Sequence, residues 1–195
     1  MNNKKKKITG SDFLLLFLYL NDCEPINSAV RLTKMMFIFE EEVYPLLTNK
    51  NITIDNLPVF MPYNYGPFSK DVYVQLELFN NIKFIQIKNL KSKEIMEEVD
   101  DWEENSFDDD FFENQEEYKK INDGKFFQFI LLETGKQFVE DEILEFMSKE
   151  DIEILEMYKK RIVSTSIRDI LKYVYVKYPK MTENSIIKTE ILGNG

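Results

Sequence analysis

The hydrophobic and polar positions of the chain follow helical spacing over most of its length, beginning near the N-terminus. Residues 11–22 are apolar on nearly every side, and this pattern predicts a buried first helix. Ser11 is the expected N-cap of this helix, and Pro25 is expected to break the chain direction after it.

Two more helices are predicted before the middle of the chain. Apolar residues recur at helical spacing over residues 30–46, which predicts a second helix capped by Asn27 or Ser28. Ser69 is expected to cap a third helix that ends at Asn80, because an acid follows in its first turn, where the helix dipole favours negative charge.

The segment between the second and third helices does not have a helical pattern. Residues 49–58 are polar and predict a loop. Residues 60–68 contain Pro62 and Pro67 on either side of the chain turn at Gly66, so they predict an extended segment with a tight turn.

The second half of the chain predicts two strands and then helices. Residues 82–87 alternate as a strand does, and residues 125–132 are rich in strand-forming residues, so the simplest pairing is a hairpin. The C-terminal elements are expected at 134–147, at 148–163, from Thr165 or Ser166 to just before Pro179, and at 182–188.

Three helices followed by a two-stranded hairpin is the element order of a winged helix, in which residues 69–80 take the place of the recognition helix. The predicted fold is mostly α (α+β): winged-helix-like helices, a β-hairpin with an acidic insertion between its strands, and C-terminal helices. We expect a single domain over residues 1–195, with the insertion at 93–120 and flexible tails at 1–8 and 189–195.

The composition removes several classes of enzyme. The chain has no His, which excludes Ser-His-Asp and Cys-His catalysis and histidine zinc sites. Cys23 is the single cysteine, so the chain has neither an internal disulfide nor a zinc cluster of cysteines.

The net charge of −10 is concentrated in one segment. Residues 94–117 contain 13 acids and no Lys or Arg, and the rest of the chain has 22 acids against 25 bases. Residues 159–188 carry eight bases against two acids. The global charge therefore says little about local surfaces.

The N-terminus has a basic run at 4–7 and an apolar run at 13–20, which is the order of a secretory signal. However, residues 21–25 offer no small-residue cleavage site, and the apolar run is shorter than the ~20 residues that span a bilayer. We therefore interpret the run as a buried helix. A cytoplasmic protein with one reduced cysteine is expected.

Four segments carry a family resemblance: Arg31-Leu32-Thr33-Lys34-Met35-Met36-Phe37, Tyr63-Asn64-Tyr65-Gly66-Pro67-Phe68-Ser69-Lys70-Asp71-Val72-Tyr73, Leu132-Glu133-Thr134-Gly135-Lys136 and Tyr173-Val174-Tyr175-Val176-Lys177-Tyr178-Pro179. In this order and spacing they resemble the Panacea-type family, which includes SocA-like antitoxins and YwgA-like proteins. The resemblance implies a mostly helical fold without enzymatic activity, and a role as an antitoxin or regulator that neutralises a partner protein. The insertion lies outside the shared pattern.

Aromatic residues around the predicted turn are the first candidates for binding a partner protein: Tyr63, Tyr65, Pro67, Phe68 and Tyr73. Aromatic side chains on a rigid Pro/Gly segment make good interface anchors, because little side-chain entropy is lost on binding. The structural alternative is that the turn residues shape the backbone and the tyrosines cover the core.

The insertion mixes its acids with aromatic residues, and four of them are further candidates for partner binding: Trp102, Phe107, Phe111 and Phe112. Acids interleaved with aromatics can mimic nucleic acid or fold onto a basic partner. Two alternatives remain open, namely a solvated loop and a Mg²⁺ or Ca²⁺ site at residues 108–110.

Basic residues supply the candidates for nucleic-acid contact under an alternative function: Lys70, Lys172, Lys177 and Lys180. Lysines interleaved with tyrosines can contact phosphates and stack on bases. The structural alternative is a solvated basic face. Within the predicted recognition helix, Lys70 stands against Asp71 and Glu77, which makes a poor phosphate-binding surface.

These patterns lead to three functional hypotheses. The first is a non-catalytic, antitoxin-like protein that neutralises a partner protein by direct binding, without cofactor, metal or membrane. The second is a winged-helix DNA-binding transcriptional regulator, and the third is a phage-encoded inhibitor of a host defence system that uses acidic mimicry. Carboxylates such as those at 40–42 suffice for a glycosidase or a Mg²⁺ nuclease, but nothing in the sequence places two of them against a substrate.

Overall fold

The computed structural model of the chain describes residues 7–47, 53–90 and 126–193. Within these residues the protein is mostly helical, with a small antiparallel strand hairpin, and the predicted α+β class is confirmed. The predicted insertion at 93–120 lies outside the described residues. So do its candidate residues Trp102, Phe107, Phe111 and Phe112.

Seven α-helices form most of the described part of the chain: α1 (Gly10–Cys23), α2 (Ala29–Ile38), α3 (Lys70–Asn81), α4 (Glu133–Glu142), α5 (Lys149–Ser164), α6 (Ile167–Lys177) and α7 (Lys188–Leu192). A π-helix (Phe39–Val43) and a 3-10 turn (Tyr44–Leu46) continue α2, and further 3-10 turns lie at Leu144–Phe146 and Pro179–Thr182. Residues of α1, α2, α5 and α6 supply most of the buried core.

Seven short strands accompany the helices: β1 (Lys7–Thr9), β2 (Ile26–Asn27), β3 (Thr53–Asp55), β4 (Met61–Tyr63), β5 (Gly66–Phe68), β6 (Ile85–Leu90) and β7 (Phe126–Leu131). β6 and β7 pair antiparallel, with Ile85 opposite Leu131, as the predicted hairpin requires. β2 pairs on the other side of β7, which gives the sheet order β2-β7-β6. The strand β2, which lies between α1 and α2 in the chain, therefore completes a three-stranded sheet with the hairpin.

The sequence did not reveal β1, β2 or β3. β1 pairs in parallel with β3, so the predicted loop at 49–58 contains a strand at 53–55. β2 has only two residues after Pro25, and its pairing partner in β7 is about 100 residues away in the chain. Strands this short carry no alternation that a sequence pattern could show.

The N-terminal cap of α1 differs from the prediction. Thr9, not Ser11, is the N-cap, and it forms a capping box with Asp12: the Thr9 hydroxyl accepts from the Asp12 amide, and the Thr9 amide donates to Asp12 Oδ2 at 2.7 Å. The reciprocal pair satisfies two free helix donors at once. Asp12 three residues after Thr9 was the sequence signal for this cap.

The C-terminal end of α1 turns through three consecutive left-handed residues, Asn21, Asp22 and Cys23. Lys159 of α5 stabilises this turn, since its buried Nζ donates to Leu20 O and Glu24 O, both at 2.6 Å. A cation next to the carbonyls at a helix end also fits the negative end of the helix dipole.

In the C-terminal half, two helix caps lie at residues that the sequence offered as caps. The segments predicted as flexible tails, in contrast, overlap elements of the structure. Ser148 and Ser166 cap α5 and α6 by accepting hydrogen bonds from the amides three residues later. The predicted tail at 1–8 overlaps β1, and Ile8 is buried. The predicted tail at 189–195 overlaps α7, where Ile191 is buried, and the helix predicted at 182–188 is replaced by the 3-10 turn Pro179–Thr182 and α7.

Candidate functional site

The two strands β4 and β5 form a small antiparallel hairpin that precedes α3. Met61 lies opposite Phe68, Pro62 opposite Pro67, and Tyr63 opposite Gly66. Because side chains alternate across a strand, Met61 and Tyr63 point to one face of the hairpin and Pro62 to the other.

Two adjacent residues of β5, Gly66 and Pro67, lie directly on the helical core, and we call this pair the inner face of the hairpin. Gly66 has φ of +85°, and a Cβ added there would lie 3.0 Å from Cε1 of Tyr175 and 3.4 Å from Cγ2 of Thr182. Pro67 is buried, and its carbonyl oxygen accepts a 2.8 Å hydrogen bond from Nζ of Lys34 on α2. Glycine is required at 66 both for the left-handed backbone and for this close approach.

Residues 184–186, which follow the 3-10 turn Pro179–Thr182, also hold the hairpin through hydrogen bonds to β4 and its turn. The amide of Ile186 donates to Asn64 O at 3.0 Å, and the side chain of Asn184 donates to Pro62 O at 3.5 Å. Between them, Ser185 Oγ shares a 2.6 Å hydrogen bond with the hydroxyl of Tyr175. The hairpin is thus held by α2, α6 and residues 184–186.

The opposite side of the hairpin is apolar and faces solvent. We call its five residues the outer hairpin face: Val59, Met61, Tyr63, Phe68 and Tyr73. The ring of Tyr63 lies 5.0 Å from that of Phe68, and Phe68 stacks on Tyr73 at 5.1 Å with an interplanar angle of 23°. Met61 is 50% exposed and Val59 is 69% exposed.

The structure divides the aromatic residues of this segment by position, and their role in partner binding stays a prediction. Tyr63, Phe68 and Tyr73 come together in one row and are each half-buried. Tyr65 and Tyr73 both pack against the core, and Pro67 is buried, so these three residues also shape the fold. The hydroxyl of Tyr73 shares a 2.8 Å hydrogen bond with that of the buried Thr33. Val59 and Met61 were missed, although Val, Met and Tyr at 59, 61 and 63 alternate with Phe60 and Pro62 as strand residues do.

Helix α3 continues the apolar surface away from the hairpin. Val74 and Leu78 are one turn apart on its solvent side and are 49% and 47% exposed. The exposed charges around them are Lys70, Asp71 and Glu77. Asp71 accepts a hydrogen bond from the amide of Val59, which joins the start of α3 to the segment between β3 and β4.

A polar cluster around Glu42 joins the π-helix to α6. Tyr173 and Tyr178 donate to the carboxylate of Glu42 at 2.7 to 2.9 Å, and Lys177 forms a 2.8 Å salt bridge with it. Burial favours the neutral acid, but the hydrogen bonds from Lys177, Tyr173 and Tyr178 outweigh it and lower the pKa of Glu42. Glu42 is therefore ionised and fully engaged at neutral pH.

This cluster includes one of the four lysines that are candidates for nucleic-acid contact. Lys177 is paired with Glu42, so its charge is neutralised locally. Lys70, Lys172 and Lys180 are exposed, and they lie on α3, α6 and the 3-10 turn after it. The four lysines thus belong to three separate elements.

Three cations of α2 and α5 are buried: Arg31, Lys34 and Lys159. Arg31 Nη1 donates to the carbonyls at the end of α5, including Ile162 O at 2.6 Å and Thr165 O. Burial lowers the pKa of Lys34 to about 7. Burial also lowers the pKa of Lys159, to about 8, against the opposing effect of Glu24 and Cys23.

Glu40, in the π-helix, has the most perturbed carboxyl group in the described part of the chain. Burial and the neighbouring Glu41 raise its pKa to about 7, and Glu40 Oε2 is buried without a hydrogen-bond partner among the described residues. Glu42 lies two residues away and is occupied by its tyrosine and lysine donors.

Comparison of the chain with protein-family models, with curated proteins and with solved structures found no match. The resemblance to the Panacea-type family therefore stays a prediction. In residues 7–47, 53–90 and 126–193, no group of three or more acidic or cysteine side chains is arranged to hold a metal ion. Over the same residues, no helix is both long enough and apolar enough to cross a membrane.

Proposed function

We propose that this chain is a non-catalytic, antitoxin-like protein of the cytoplasm that neutralises a partner protein by direct binding through the outer hairpin face. The observation that carries the proposal is the row of Tyr63, Phe68 and Tyr73, extended by the exposed Val59 and Met61. Contiguous exposed apolar surface of this kind is typical of a site for protein interaction.

The construction of the face supports tight binding. The hairpin is fastened to the core on its inner side, and the three aromatic rings already stack on one another. Pre-ordered aromatic anchors lose little conformational entropy when a partner binds, so more of the contact energy appears as affinity. None of the five residues is charged, so the matching surface on the partner is apolar at its centre.

The resemblance to the Panacea-type family also supports this function. Three of the four segments that carry the resemblance meet at the hairpin: α2 supplies Lys34, β5 supplies Pro67, and α6 supplies Tyr175. These three residues are buried, so the shared segments build the support beneath the outer hairpin face, as a shared binding role would require.

The DNA-binding regulator remains the alternative proposal, and its support is the winged-helix element order together with the exposed Lys70, Lys172 and Lys180. The charge of α3 weighs against it. A helix that enters a DNA groove needs bases near phosphates, whereas the solvent side of α3 presents Val74 and Leu78 with Lys70 as its only exposed base.

The third proposal, inhibition of a host defence system by acidic mimicry, depends on the acids of residues 94–117. Those residues lie outside the described part of the chain. Its support is the sequence alone: 13 acids without a base, interleaved with aromatic residues.

The experiment is purification of the tagged chain from its own host, with mass spectrometry and a 260/280 nm absorbance ratio on the eluate. Wild type is compared with Met61→Glu and Phe68→Ala. The matched control is Val176→Glu, because Val176 is 67% exposed on α6 outside the outer hairpin face. A near-stoichiometric protein is expected with wild type and the control, and its loss is expected with the two hairpin variants.

The captured protein is then expressed with and without the chain, and relief of its growth inhibition is the expected result. Retention of the protein by all variants would overturn the assignment of the surface. Nucleic acid in the eluate that is lost at high salt would move the DNA-binding regulator to first place.

A further inference from the structure

The amine of Lys34 is the one buried positive charge that lies directly under the hairpin. Its side chain is 3% exposed, and Nζ donates to Pro67 O at 2.8 Å. Within the described residues Pro67 O is its hydrogen-bond acceptor. A protonated amine has three N–H donors and a neutral amine has two, so the charged form leaves more donor capacity buried without a partner.

The described groups around Gly66, the position that the Lys34 side chain also approaches, are uncharged near neutral pH. A Cβ added at Gly66 would lie 3.8 Å from Cε of Lys34 and 3.4 Å from Cγ2 of Thr182, and the hairpin contributes the Pro67 carbonyl. Helix α6 contributes the ring of Tyr175, whose pKa burial raises to about 12.

On its own helix, the nearest charged side chain along the sequence is Arg31, one turn before Lys34. Its guanidinium is directed to Ile162 O and Val163 O at the end of α5. The low pKa of Lys34, about 7, has burial as its cause. The geometry therefore places an ionisable amine between α2 and the hairpin, in contact with a carbonyl and, among residues 7–47, 53–90 and 126–193, with no ion-pair partner.

We propose that Lys34 couples the seating of the β4–β5 hairpin on α2 to pH: the neutral amine holds the hairpin in place, and uptake of a proton favours its release. Release exposes the amine to water, where the charge is well solvated. If the outer hairpin face binds a partner, which rests on the proposed function, the same equilibrium sets the fraction of the chain that is ready to bind.

The direction follows from proton linkage. Lys34 has a pKa of about 7 when the hairpin is seated and an ordinary value of 10.5 when the amine is hydrated. Between these values the released form binds more protons, so raising the pH favours seating, by about ten-fold per pH unit. Below about pH 7 both forms are protonated and the equilibrium no longer changes.

The test measures hydrogen exchange of the backbone amides in β4 and β5 by NMR from pH 7 to pH 9, corrected for intrinsic exchange rates. The free chain is used, without a partner. The opening constant is expected to fall about ten-fold per pH unit in wild type. Lys34→Met keeps the length of the side chain and removes its charge, so its opening constant is expected to be low and independent of pH.

Lys159→Met is the matched control, because Lys159 is also a buried lysine but contacts the end of α1 and not the hairpin. It is expected to keep the pH dependence of wild type. A flat profile in wild type, or an equal slope in Lys34→Met, would overturn the proposal.

A second measurement, made on wild type, tests the proposal even if a variant fails to fold. The ¹³Cε chemical shift of Lys34 in wild type is followed from pH 6 to pH 11. A midpoint near 7 supports the proposal, and a midpoint near 10.5 overturns it. Both measurements use the chain alone, so failure to capture a partner protein would leave this inference standing.

Discussion

The two faces of the β4–β5 hairpin meet opposite surroundings. The inner face, with Gly66 and Pro67, lies within contact distance of Tyr175, Thr182 and Lys34. The outer face presents half-buried rings and the exposed Met61 to solvent. Gly66 and Pro67 thus serve the fold, whereas the outer hairpin face leaves an apolar surface, so the two regions should respond to mutation in different ways.

Gly66→Ala should give the largest effect, because it adds a Cβ at a positive φ and within 3.0 Å of Tyr175. We expect the free energy of unfolding to fall by about 2 to 4 kcal/mol, measured by urea denaturation. Gly193→Ala is the matched control, since Gly193 has φ of +77° with no atom within 4 Å of the added Cβ. Its cost is expected to be about 1 kcal/mol or less. Equal costs would show that contact with Tyr175 contributes nothing.

The pH dependence of global stability should be the next largest effect of the inner face. Lys34 has a folded pKa of about 7 and an ordinary value of 10.5, so the unfolded chain binds more protons in this window. Stability therefore rises with pH from about 7 towards 10.5, and is lost again as the pH falls towards 7. The pKa of Lys159, about 8 in the folded chain, also lies below its ordinary value of 10.5, so this residue adds to the rise of stability with pH.

Substitution of Lys34 by Met should lower this slope by up to about 1.4 kcal/mol per pH unit, measured by urea denaturation at pH 7, 8 and 9. The titration window of Glu40, from its ordinary value of 4.5 to about 7, lies below this range. Parallel stability curves for wild type and the variant would contradict the prediction.

Tyr175→Phe should have a smaller effect on the inner side. It removes the 2.6 Å hydrogen bond between the hydroxyl of Tyr175 and Ser185 Oγ without opening a large cavity. A loss of about 1 kcal/mol is expected. A double-mutant cycle with Ser185→Ala isolates the pairwise energy, and strict additivity of the two costs would show that the bond contributes no stability.

Substitutions on the outer face should have the smallest effect on folding. Met61→Gln is expected to change the free energy of unfolding by less than about 0.5 kcal/mol, because the side chain is 50% exposed. The same variant should weaken binding of the partner protein, measured by titration calorimetry once that protein is known. A stability loss as large as that of Gly66→Ala would show that the outer face is part of the core.

Much of the fold could be predicted from local patterns in the sequence. Ser148 was predicted as a cap because acids follow it in the first helical turn, and this cap forms. Thr165 and Ser166 were alternative starts of α6, and the structure has the cap at Ser166. The hairpin of β6 and β7 followed from alternation and β-rich composition. The cap at Thr9 was missed because Ser11 also fits a helix start, and the reciprocal hydrogen bonds between Thr9 and Asp12 place the start at Gly10.

The sequence predicted only part of the proposed binding surface. The aromatic composition of residues 63–73 pointed to the right segment, but it did not separate Tyr65 and Pro67, which lie inward, from Tyr63 and Phe68. Lys34 gave no signal of burial, because lysine is most often exposed and its surroundings come from β5 and α6.

The sequence by itself determined the helices with strong periodicity, the tight turn between Pro62 and Pro67 and the acidic character of residues 94–117, because these depend on neighbours in the chain. The tertiary structure alone decided which side of the hairpin is covered and where the buried charges of Arg31, Lys34 and Lys159 find carbonyl partners. Burial and desolvation arise from elements more than thirty residues apart in the chain, and no local pattern encodes those distances.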